Sequence, residues 1–141
     1  MIRIPTDYKI LKLVYKEYKH DFANFDKSKR NAKVYVPIDI DKLSTKLNVD
    51  QDIIFGRLYY HCNEKYSYKN TDGSIVKFFA LSLGPDDRTD VHCIQFPLMA
   101  SILADLEEQR KRFRISTVIA LVSIFIAAAA LGISIATNVQ N

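Results

Sequence analysis

The sequence has no tryptophan, only four glycines, four prolines and two cysteines in 141 residues, and no charged residue after Arg114. Each scarcity excludes something. Glycines at positions 56, 73, 84 and 132 are too scattered to build a phosphate-cradling loop. Two cysteines cannot make the disulfide framework of a small secreted scaffold. The length supports one modest domain and excludes enzymes of the multidomain doubly wound or barrel kind. The near-neutral mean hydropathy describes neither part of the chain, because the charges are confined to residues 3–114.

Beyond Arg114 the chain is apolar. Residues 115–137, ISTVIALVSIFIAAAALGISIAT, form an uncharged run whose polar members are all small. As a helix at about 1.5 Å per residue it reaches roughly 34 Å, enough for the ~30 Å hydrocarbon core of a bilayer. A single transmembrane helix is therefore expected over 115–137. Arg110, Lys111, Arg112 and Arg114 precede it, and the short tail 138–141 carries no charge. The positive-inside rule then places residues 1–114 in the cytoplasm and the C-terminus across the membrane. The opening MIRIPTDYKI has no apolar run of the signal-peptide kind. In a reducing compartment Cys62 and Cys93 are expected as thiols.

Before the apolar run the pattern is that of a folded α+β domain. Pro5-Thr6-Asp7 opens a helix, with Thr6 at the N-cap; Ile10, Leu11, Val14, Tyr18 and Phe22 give it a buried face, and Lys9, Lys12, Lys16 and Lys19 a basic stripe. Asn24–Lys33 reads as a basic loop, and Val34–Ile38 as an edge strand because of Pro37. Leu43 and Leu47 mark a short helix, Asn48-Val49 a tight turn, and Asp50 the cap of a second helix that turns Ile54, Leu58 and His61 or Cys62 inward. Tyr66–Tyr68 suggests a short strand turning at Asp72-Gly73. Ile75–Leu83 and Asp90–Phe96 read as strands joined by a hairpin at Gly84–Arg88. From Leu98 the chain is helical again, with Met99, Ile102, Leu106, Gln109 and Phe113 in one stripe.

The order helix, strand, helix, helix, strand, strand over residues 6–97, with Leu43, Leu47, Val49, Ile54 and Leu58 at core positions, resembles a winged helix-turn-helix domain. The resemblance implies a winged-helix domain over 1–97, a helical stalk over 98–114, a transmembrane helix over 115–137 and a tail over 138–141. Joined to one span, it is similar to one-component membrane transcription regulators and implies DNA binding. On that footing Lys46, Gln51 and Arg57 are the residues expected to meet DNA.

The charge distribution argues against assuming DNA. Residues 1–38 hold nine basic and four acidic residues, 39–70 five of each, and 71–109 two and seven. A DNA reader needs a basic face, and the neutral block holds the recognition helix. Phe55 and Tyr59, an i,i+4 pair on that helix, are expected to face outward, and with Tyr60 they form a candidate patch for a cytoplasmic protein partner. A third expectation sets the lysine stripe and the basic loop on anionic headgroups. Ala128, Gly132 and Ala136 form a small-residue series suited to homodimer contact in the membrane. His61-Cys62 and His92-Cys93 are the only residues with the makings of a zinc site, but neighbouring side chains diverge on helix and strand alike. Asp86, Asp87 and Asp90 read as a solvated hairpin tip. No catalytic residue, metal or cofactor is expected, and the protein is not expected to be an enzyme.

Overall fold

The computed structural model describes residues 4–30, 32–83 and 90–139. The chain divides into two compact units, Met1–Ala104 and Asp105–Asn141. The first mixes helices with two small sheets; the second belongs to the long C-terminal helix.

Helix α1 spans Asp7–Ala23. Thr6 is its N-cap, but the hydroxyl makes no capping bond; its carbonyl instead accepts from the backbone N–H groups of Lys9 and Ile10. Ile10, Leu11, Val14 and Tyr18 are buried, as their spacing requires, while Phe22 is half-buried. Strand β1 (Tyr35–Pro37) then runs along the edge of a three-stranded antiparallel sheet. Proline has no N–H to give the ladder, so an edge suits it.

Helices α2 (Ile40–Leu47) and α3 (Gln51–Gly56) are joined by a turn whose chemistry is local. The Asp39 carboxylate caps α2 by accepting from Lys42 N–H at 3.0 Å. Asn48 closes it in the left-handed conformation (φ 51°), and Val49 N–H reaches back to the Ser44 carbonyl. Asparagine tolerates that conformation where a β-branched residue would not. Asp50 then caps α3 by accepting from Asp52 N–H at 2.8 Å.

Helix α3 does not stop at Gly56. Arg57–Cys62 is wound as a π-helix, and α4 (Asn63–Tyr66) continues it, with helical backbone at Gly56, Arg57, Cys62 and Asn63. Ile54, Leu58 and Cys62 face inward. His61, the other candidate for an inward position, is exposed.

A small hairpin pairs β2 (Tyr68–Lys69) with β3 (Ile75–Val76). Gly73 takes φ 88° in its turn, and Asp72 accepts from both the N–H and the hydroxyl of Ser74. The expected single strand over Ile75–Leu83 is in fact two, β3 and then β4 (Phe79–Leu83). Phe78 and Phe79 are both buried, and the chain bends at Phe78, whose N–H donates to the Ser67 hydroxyl and not to a strand. β4 pairs with β5 (Asp90–Gln95), which also pairs with β1, giving the order β1-β5-β4. The hairpin tip expected at Gly84–Arg88, with Asp86 and Asp87, lies outside the described residues.

Helix α5 runs from Phe96 to Val139. The Gln95 side-chain oxygen accepts from Leu98 N–H at 2.6 Å, capping its start. Phe96 stacks on Phe22 (4.9 Å between ring centres) and on Tyr15 (5.6 Å). Met99, Ile102 and Leu103 are buried, so the first unit extends past residue 97 to Ala104. The stripe begun by Met99 and Ile102 thus serves the core at its start, whereas Gln109 and Phe113 are exposed. α5 is long and apolar enough to cross a membrane, and none of its most apolar window is buried.

Candidate partner-binding surface

Helix α2 and the α3–π–α4 helix carry two unlike sets of residues, one aromatic and one charged. The aromatic set begins at Phe55, which stacks on Tyr59 with ring centres 5.2 Å apart. Tyr59 in turn meets Tyr60 edge-to-face at 5.0 Å. Phe55 also meets Phe79 of β4 at 6.1 Å and His92 of β5 at 5.3 Å, and His92 stacks on Phe79 at 5.7 Å. Helix and sheet therefore share one aromatic cluster. Aromatic pairs at these separations contribute beyond the area they bury.

Only part of this cluster is open to a partner. Tyr60 is 71% exposed and Tyr59 39%. Phe55, expected to face outward, is half-buried, because the sheet covers one edge of its ring. Leu81, 50% exposed, lies directly across the ladder from His92. Opposed residues share a face of the sheet, so Leu81 extends the apolar surface past His92. Leu81 is absent from the residues chosen by sequence; its two-residue spacing from Phe79 is the signal that marks it.

The charged set turns the other way, toward α1. Lys46 Nζ lies 2.7 Å from Glu17 Oε1, and Lys42 Nζ lies 3.2 Å from Glu17 Oε2. Hydrogen bonds from Lys46, then Lys42, hold the Glu17 carboxyl below the usual carboxylate range. The hydrogen bond to Glu17 raises Lys42. Arg57 is ion-paired with Asp7, and His61 Nε2 lies 3.2 Å from the same carboxylate. Of Lys46, Gln51 and Arg57, then, both cations are already ion-paired with α1, and Gln51 alone is exposed without a charge to satisfy. Nothing in the local pattern of residues 46–57 announces this, since the partners lie at positions 7 and 17.

Among the described residues no group of three or more His, Cys, Asp or Glu is placed to hold a metal ion. His61 turns to Asp7 while His92 stacks in the aromatic cluster. Cys62 is fully buried, and burial, followed by the nearby Asp7 charge, pushes its thiol up to about 12. That thiol is a packing element and a poor nucleophile.

No protein-family model, curated protein or solved structure matches this chain.

On α5 the basic residues Arg110, Lys111, Arg112 and Arg114 are all exposed, and Arg112 also bonds Glu108 one turn back, with Nε at 3.0 Å. Ala128 and Gly132 are exposed on the same helix, and an added Cβ at Gly132 would meet nothing within 4 Å.

Proposed function

We propose that this chain is a membrane-anchored regulatory module whose cytoplasmic winged-helix domain docks a protein partner on Tyr59, Tyr60, Leu81 and the exposed edge of Phe55. The observation that carries the reading is the division of the recognition helix. Tyr59 and Tyr60 are open on one side, while Arg57 is committed to Asp7 on the other, and Lys46 of the preceding helix α2 is committed to Glu17. Interfaces favour tyrosine anchors and avoid unpaired charge at their centre. The winged-helix assignment is supported by element order and by the strand pairing. β1, which precedes the helix pair, is hydrogen-bonded to β5, which comes after it, so one sheet brackets α2 and α3.

The membrane part of the reading rests on the apolar length of α5, on the absence of any burial in its apolar window, and on the four basic residues before Ile115. Those cations favour the cytoplasmic side for residues 1–114 and the opposite side for the C-terminus. No step of this reading calls for a catalytic group.

A second reading, DNA binding, is favoured by the capped turn Asn48–Asp50, which leaves Gln51 exposed at the start of α3. One experiment separates the two. A photo-crosslinking residue is placed at position 60, and separately at position 51, of the full chain in the membrane of an expression host. Crosslinks to protein from position 60, absent from position 51, are the expected result. Crosslinks to DNA from position 51, together with binding of random duplex by the detergent-solubilised chain at low salt, would replace this reading with the second.

A further inference from the structure

Helix α1 segregates its charges more sharply than its sequence advertises. It carries three carboxylates, Asp7, Glu17 and Asp21, and four lysines, Lys9, Lys12, Lys16 and Lys19. At about 100° per residue the lysines fall within an arc of roughly 80°, and every carboxylate lies at least about 80° outside it. The structure consumes two of the carboxylates on the inner side, where Asp7 holds Arg57 and His61 and Glu17 holds Lys42 and Lys46. The outer arc is therefore purely cationic. All four lysines are exposed, and among the described residues Lys9, Lys16 and Lys19 have no carboxylate partner.

We propose that this face of α1 lies on anionic phospholipid headgroups, so that the domain is held to the membrane surface as well as tethered to it. The proposal rests on the anchoring reading of α5. Three features favour lipid over nucleic acid. The cations are all lysines, which act as point charges and lack the forked geometry with which arginine reads phosphates or bases. They extend over about 15 Å of helix, a line of charge suited to a plane of headgroups. Finally, only residues 105–114 separate the first unit from the apolar run, so docking on a bilayer holding that run is an intramolecular step. Each lysine near such a surface favours the docked state by about fivefold, and salt weakens the effect.

The test uses the full chain in lipid nanodiscs, one set of phosphatidylcholine alone and one with about one-third phosphatidylserine. Lysine side chains are acetylated briefly with a water-soluble reagent, and the rate at each site is read by mass spectrometry. Lys9, Lys16 and Lys19 are expected to react about fivefold or more slowly in the anionic discs and to recover in about 1 M salt, where the Debye length is about 3 Å. Lys77, exposed on the connection between β3 and β4, serves as the internal reference. In the doubly reversed variant K9E/K16E, Lys19 is expected to lose its protection. Equal rates for Lys19 of the unaltered chain in the two discs would overturn the proposal, as would protection by added duplex DNA in neutral discs with none from anionic lipid. If the chain instead elutes apart from discs of both kinds, the anchoring reading itself fails, and that outcome is scored by gel filtration before any labelling.

Discussion

Asp7, in the first turn of α1, is ion-paired with Arg57, fifty residues later at the start of the π-wound segment. Their side chains are 12% and 31% exposed, and Arg57 Nε is buried without a partner. Asp7→Ala would leave a partly buried guanidinium uncompensated, and a loss of about 2 kcal/mol is expected, less than a fully buried pair would show. Urea unfolding of the full chain in mild detergent measures it. With no tryptophan present, tyrosine emission and near-ultraviolet dichroism are the signals. A change below about 0.5 kcal/mol would mean that solvent already screens the pair.

Phe55 and Tyr60 should separate stability from binding. Phe55→Ala removes the ring that joins the helix to Phe79 and His92, and a destabilisation of about 2–3 kcal/mol is expected. Tyr60→Ser alters a side chain that is mostly in solvent, so stability should stay within about 0.5 kcal/mol while partner crosslinking falls. Equal loss of stability in both variants would show that Tyr60 belongs to the core.

Asn63, the first residue of α4, ties that helix to the sheet. Its side-chain oxygen accepts from Phe79 N–H at 3.0 Å and from the Ser67 hydroxyl, while Ser67 Oγ accepts from Phe78 N–H at 2.9 Å. Asn63→Ala orphans a half-buried N–H and is expected to cost about 1–3 kcal/mol. Hydrogen exchange should report faster opening at Phe78 and Phe79 before other amides of β4 respond.

Such links explain what sequence could and could not foretell. The buried face of α1, the cap Asp50, the turn at Asn48 and the edge position of Pro37 all rest on chemistry within a few residues, and each is legible there. The pairing of Lys46 with Glu17 and of Arg57 with Asp7 depends on where α1 packs, which no local spacing encodes. The covering of Phe55 has the same origin, since its ring meets Phe79 and His92 on strands far along the chain. The break at Phe78 is hidden by apolar residues that read as one continuous strand, because the hydroxyl that takes the Phe78 N–H belongs to Ser67, eleven residues earlier.

Two titrations have predictable signs. Burial raises the Cys62 thiol to about 12, so the native fold favours its protonated form. That contribution is complete below the ordinary thiol range and is lost as pH rises toward about 12. Cys62 should therefore resist alkylation in the native chain at about pH 8–9 and react promptly in urea; rapid native reaction would contradict its burial. Glu17 shifts the other way, lowered by its hydrogen bonds with Lys46 and Lys42. Its contribution is present above the ordinary carboxylate range and lost as pH falls through the depressed native value. Replacement by Gln should soften the acid limb of a stability profile, with only a small effect because both lysine partners are exposed to solvent.

The π-wound stretch Arg57–Cys62 sets the phase between the two ends of one helix. Its bonds reach one residue further than α-helical ones, so it stores an extra residue without lengthening the connection through a loop. Were the same six residues wound as α-helix instead, everything after them would turn by about 100°. Phe55 would keep its place under the sheet, while Asn63 and Ser67 would swing away from the N–H groups of Phe79 and Phe78. The segment thus acts as a fixed angular offset, matching an aromatic half that faces β4 and β5 to a polar half that fastens the start of β4.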